Sequence, residues 1–164
     1  MTLENIDVAS LREQINVDSV AIGDLGVTYP SLEQELIDAS RHGMDTGFGR
    51  TAFVVLDDAP TGIATTRDVA QELLNTTSFD TIIVRSPYSG AIVSHDYSRA
   101  AIESAQYDFL ANPQIANGAR EFMDTLNGQF YPWSTINIII GLVVILVVAF
   151  TAWITIRQAK SLDR

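Results

Sequence analysis

The chain has 164 residues, 20 acids against 10 basic residues, a net charge of −10 and no cysteine. That length holds one compact domain with an appendage, and the missing cysteines exclude disulfides, thiolate zinc sites and cysteine nucleophiles. From Met1 to Trp133 nineteen acids face seven arginines and no lysine, a net −12 with no basic patch, which excludes nucleic acid as a partner because phosphate affinity comes from clustered cations.

In chain order, "DVASLREQI" predicts a short first helix, and "VAIGDLGV" is too interrupted by Asp24 and its glycines to be an export signal. Ser31 with Gln34 forms a capping-box pattern ahead of the stripe Leu32, Leu36 and Ile37, with Gly43 as the stop. "TGFGR" at 46–50 reads as a flexible entry into "TAFVVLDD", a buried strand ending at Asp57 and Asp58. Thr65 with Asp68 opens a helix through Leu74. "DTIIVRS" and "GAIVS" are strands joined through the turn-rich "SPYSG". Ala100–Leu110 reads as a helix. Asn112-Pro113 looks like the start of a last one, whose face carries Ile115, Ala119, Phe122, Met123 and Leu126 and which stops at Gly128. The order α-α-β-α-β-β-α-α predicts an α/β (α+β) fold, a small mixed sheet covered by helices, over residues 1–130.

Beyond it, 131–135 reads as an interfacial connector, and "INIIIGLVVILVVAFTAWITI" as one C-terminal transmembrane helix, 136–156, apolar around its circumference. A short basic tail, 157–164, follows. Tyr131, Trp133 and Trp153 fit the membrane interface, as do Arg157 and Lys160. The flanking charges predict a single-pass protein of the cell membrane with an extracytoplasmic domain and a cytoplasmic tail. Asn137 and Gly141 are the positions suited to helix contacts if the chain is an accessory subunit of a larger membrane complex.

Three groups of residues carry candidate chemistry. Asp57 and Asp58 offer the hard oxygens a divalent cation requires, with Asp96 or His95 approaching across the sheet, and no other cofactor is expected. The opposing reading has one aspartate cap a loop and the other face water. In "AIVSHDYSRA", residues 91–100, His95, Asp96 and Ser98 are close in sequence, but neighbours in a turn seldom converge as a catalytic triad; Asp96 or Ser98 capping a helix near Arg99 is the simpler reading. Arg85, Tyr88, His95 and Arg99 together suggest a surface for a protein partner, since Arg and Tyr are favoured at interface hot spots. No nucleophile elbow, Walker loop or dinucleotide fingerprint is present.

Through "SLEQELIDASRHG", "TAFVVLDD", "TRDVAQELL" and the strand pair around "TIIVRSPYSGAIVS", residues 31 to 106 resemble a divergent TPM domain, an α/β module of membrane-anchored and thylakoid-lumen proteins. Through "SHDYSRAAIESAQ", "ANPQIANGAREFMDTLN" and "YPWS" the chain more closely resembles a family of short single-pass actinobacterial membrane proteins. Members of that family are typically encoded beside secreted peptidoglycan hydrolases, which implies a role in cell-envelope maintenance. The TPM resemblance implies metal-assisted phosphatase activity as the alternative. Where TPM proteins with that activity have a glycine-rich stretch, this chain has Ser94-His95-Asp96-Tyr97. The residues together favour a non-catalytic binding or regulatory protein of the envelope.

Overall fold

The computed structural model describes residues 2–3, 6–60, 62, 64–87, 89–129 and 133–162. It divides into two units, Met1–Gln129 and Phe130–Arg164.

The first unit is built on a four-stranded sheet in the order β3 (Val20–Ile22), β4 (Thr51–Val55), β5 (Thr81–Ser86), β6 (Ser89–Ser94). The first three strands are parallel; β6 returns antiparallel beside β5. A two-stranded ribbon, β1 (Thr2–Leu3) with β2 (Ile6–Asp7), precedes them. Every residue of β4 is buried, so the strand has no solvent face and its side chains alternate between two cores. Phe53, Val55, Ile83 and Ile92 join Leu36, Phe109, Phe122 and Met123 on one side. Ala52, Val54, Ile82, Val84 and Val93 meet Ile15, Val69 and Leu73 on the other.

The helices follow from those faces. α3 (Leu32–Asp45), α5 (Arg99–Ala111) and α6 (Ile115–Gln129) cover the first; α1 (Val8–Asp18) and α4 (Thr65–Thr76) cover the second. Strands β3, β4 and β5 step across the sheet in one direction, so right-handed crossovers would place α3 and α4 on the same face. They lie on opposite faces. One of the two crossovers is therefore left-handed, against the usual hand.

Several local expectations are corrected. The ribbon β1–β2 and the strand β3 were not predicted. β3 is only three residues long, and its "VAI" carries too little pattern to separate from a helix end. A four-residue turn of helix, α2 (Leu25–Thr28), follows it. Ser31 makes no side-chain capping bond to α3, and Ala64 rather than Thr65 occupies the cap of α4. α3 runs past Gly43, and α6 past Gly128.

"TGFGR" is a tight turn rather than a flexible entry. Gly47 and Gly49 have φ of 81° and 113°, values a side chain would strain. Between them Phe48 is 2% exposed, and its ring stacks on Tyr97 with centroids 4.6 Å apart. The two glycines let the chain reverse within a few residues and drop that ring into the core.

The second unit contains α7 (Trp133–Leu162), a helix of 30 residues. Side chains of its stretch 138–153 are exposed, and most are Ile, Leu, Val or Phe. Among the described residues no helix is long and apolar enough to cross a membrane. The expected transmembrane helix at 136–156 is corrected on that ground, and the orientation read from its flanking charges rested on it. Tyr131 lies outside the described residues. Trp133, Arg157 and Lys160 belong to α7, with their side chains outside the description, and Trp153 is exposed.

α1 ends on Ser19, whose φ of 75° is the only positive value on a non-glycine residue among those described. A left-handed conformation costs a side-chain-bearing residue about 1–2 kcal/mol, partly offset by the greater entropy glycine loses on folding. Ser19→Gly is therefore expected to stabilise the first unit by roughly 0.5–1 kcal/mol, measured as a higher urea midpoint at unchanged slope. A lower midpoint would mean that the serine hydroxyl supports the cap.

Candidate functional site

The carboxyl ends of parallel strands are where open α/β sheets usually hold ligands. In this chain that edge carries Gly23 and Asp24 after β3, Asp57 and Asp58 after β4, and Arg85 at the end of β5. Asp57 reaches across to the start of α2. Its two carboxylate oxygens accept from the N–H groups of Asp24 and Leu25, at 3.0 and 2.9 Å. A Cβ at position 23 would overlap that carboxylate, so the glycine is what allows the approach. The result ties the loop after β3 to the end of β4. Asp58 stays exposed.

Asp96 lies at the other end of the sheet. The pairing Val55↔Arg85↔Gly90 marks one edge and Thr51↔Thr81↔Ser94 the opposite one, and Asp96 follows Ser94. The strands between them run for roughly 15 Å. Thus Asp57 and Asp58 are brought together, while Asp96 is kept from them by the antiparallel return of β6. Among the described residues no group of three or more His, Asp or Glu side chains is placed to hold a metal ion.

The proposed partner surface is divided in the same way. Arg85 is half-buried beneath the end of α5: its Nη2 donates to the Leu110 carbonyl at 2.6 Å, and its guanidinium lies 5.7 Å from the Phe109 ring centre. Burial costs the charged form its hydration and lowers the arginine pKa from its ordinary value. At Gly90, paired with Arg85, an added Cβ would come within 2.7 Å of the Leu110 side chain. His95 and Arg99 sit at the other end of α5, about 20 Å of helix away. There Arg99 pairs with Glu103 at 2.5 Å on the exposed face. Tyr88 lies outside the described residues.

The stretch from His95 to Arg99 is a turn that starts α5. Ser98 is the cap, its hydroxyl accepting from the Ala101 N–H at 3.2 Å, and the His95 N–H donates to the Asp80 carbonyl. The residue that sequence reasoning passed over is Tyr97. Its hydroxyl donates to Asn127 Oδ1 at 2.8 Å, while the Asn127 amide donates to the Thr46 carbonyl at 3.1 Å. One phenol thereby joins the start of α5 to the end of α6 and the turn after α3. Nearby, His42 Nε2 and Asp124 Oδ1 are 2.7 Å apart, a second link between α3 and α6. The apolar periodicity of α6 identifies its buried face but not these polar partners.

A cavity of about 550 Å³ opens beside α2, between the start of α3 and the start of α6. Leu25, Tyr29, Leu32 and Ile115 supply apolar wall; Glu35 and Arg120 supply charge. Arg120 is held in place, with Nη1 donating to Asn117 Oδ1 at 3.1 Å and Nη2 to the Glu35 carbonyl at 3.2 Å. Its size and mixed lining suit a small ligand or the anchoring side chain of a partner.

Two outcomes are expected. Asp57→Ala should cost about 1 kcal/mol, the scale of losing a capping carboxylate, by the same amount with and without Mg²⁺; a magnesium-dependent stabilisation lost in the variant would restore the metal site. For Tyr97, burial first and the Asp96 charge second raise the pKa, so the folded state holds the phenolic proton more tightly than the unfolded chain. That contribution is complete below the ordinary tyrosine value near 10 and is lost as pH rises through the raised folded value. Alkaline denaturation should accordingly be flatter in Tyr97→Phe than in the parent; identical profiles would exclude Tyr97 as its source.

No curated protein and no solved structure matches the chain. A family model described as "Membrane protein Rv1476" matches residues 1–164, the full length of the sequence. The chain accordingly belongs to that family of membrane proteins.

Proposed function

We propose that the protein is a non-catalytic binding or regulatory component of the cell envelope, whose first unit engages a protein partner through the cavity beside α2. The observation that carries this reading is the cavity itself: an open, half-apolar recess with a fixed guanidinium on its wall. It suits a segment that inserts an apolar group and offers a carboxylate to Arg120. Support also comes from how the reactive side chains are used. Asp57 serves backbone N–H groups, Ser98 caps a helix and His42 is paired with Asp124.

Membership of a membrane protein family sets the location, and the exposed apolar side chains of α7 support that helix as the element in contact with lipid. The resemblance to envelope proteins encoded beside peptidoglycan hydrolases supports such a hydrolase as the partner of first choice. The TPM resemblance is compatible with the observed sheet between two helical layers.

A photo-crosslinking residue at Tyr29 in the full-length chain, activated in living cells, should give a discrete adduct with an envelope protein, and Arg120→Glu should abolish it. The absence of any adduct would remove the reading. So would hydrolysis of p-nitrophenyl phosphate by the purified full chain, lost in Asp57→Ala.

A further inference from the structure

The sheet has two edges, and they are protected unequally. β3 offers only three residues, too few to template much pairing. β6 runs for six residues, "SGAIVS", paired with β5 in continuous register from Ser86↔Ser89 to Thr81↔Ser94. It has none of the usual protections of an edge strand: no charge, no proline and no bulge.

The register fixes which backbone groups are free. The His95 N–H donates to the Asp80 carbonyl, so His95 turns its N–H toward the chain that leads into β5. Stepping by two along an antiparallel ladder, Val93, Ala91 and Ser89 also turn their backbone groups toward β5. Gly90, Ile92 and Ser94 therefore direct theirs away from the sheet. The bond from the Leu56 N–H to the Arg85 carbonyl agrees, because it shows Arg85, opposite Gly90, turned toward β4.

This edge lines a groove of about 280 Å³. Thr66, Arg67 and Gln71 of α4 form one wall, and Arg99, Glu103 and Gln106 of α5 the other. Backbone donors and acceptors at the floor with polar walls suit an extended peptide, whose main chain pairs with the strand while its side chains alternate toward the two helices.

Charge indicates the chemistry of that peptide. Arg99 is compensated by Glu103, whereas Arg67 is exposed and, among the described residues, makes no ion pair. Arg67 is in the first turn of α4, the helix entered from the end of β4, which places it toward the Gly90 end of β6. The groove thus has a spare positive charge in a region whose net charge is −12. A second copy of the chain would bring that whole net −12 to the surface, whereas a short peptide brings little beyond the carboxylate that Arg67 can pair.

We infer that β6 is a docking edge for an extended acidic peptide of a partner protein, which adds a fifth strand along Gly90, Ile92 and Ser94 and places a carboxylate on Arg67. The inference rests on the reading of the protein as a binding component, but it uses a surface separate from the cavity beside α2.

The test uses the full-length chain in detergent micelles and a fluorescent peptide, Asp-Val-Thr-Val-Thr-Val, read by anisotropy and by amide hydrogen exchange. Saturable binding is expected, with slower exchange at Ile92 and Ser94, and Arg67→Glu should weaken it by about tenfold or more. The same peptide N-methylated at alternate residues should not bind, since strand addition requires its N–H groups. No binding at millimolar peptide, equal binding of the N-methylated peptide, or equal binding by Arg67→Glu would each overturn the proposal. So would a dimer in sedimentation that the peptide dissociates, because a second copy would then be the natural occupant. Failure here leaves the Tyr29 crosslink unaffected, and its loss would not alter peptide binding at β6, so the two readings fail separately.

Discussion

Every residue of β4 is buried, and β5 is buried along most of its length. A strand without a wet face must be covered twice, and much of the first unit follows from that requirement. α3, α5 and α6 close one side around Phe53 and Ile83; α1 and α4 close the other around Val54 and Ile82. Placing α3 and α4 on opposite faces forces one crossover into the less common hand. Burying both faces of the central strands outweighs that cost.

The same constraint determines where polar side chains go. With the sheet enclosed, they collect at its two ends and in the seams between helices. Asp57 closes the carboxyl end by accepting from the start of α2. Tyr97 and Asn127 close the opposite end, beside the Phe48 ring that Gly47 and Gly49 turn inward. Asp57 and Ser98, which look reactive in the sequence, hold segments of backbone in place. What they leave open is a recess beside α2 and the groove along the edge strand β6.

α7 follows a different logic. A helix exposing Ile, Leu, Val and Phe around its circumference has no face to turn toward water, and the surroundings that suit it are apolar. The family places the chain among membrane proteins. Among the described residues no helix is long and apolar enough to cross a membrane.

Local pattern alone determined a good deal: the amphipathic stripe of α3, the apolar runs of β4, β5 and β6, and a side-chain cap on α5 from Asp96 or Ser98, which the structure assigns to Ser98. Each depends on residues a few positions apart, whose spacing is visible in the chain. β3 was not legible, because three apolar residues become a strand only when β4 pairs with them. Nor was the separation of Asp96 from Asp57, which follows from the antiparallel return of β6, or the burial of Phe48 against Tyr97, 49 positions apart in the sequence. Only the tertiary structure decides such matters, since hydrogen bonds and contacts between distant segments leave no periodic trace in the residues that make them.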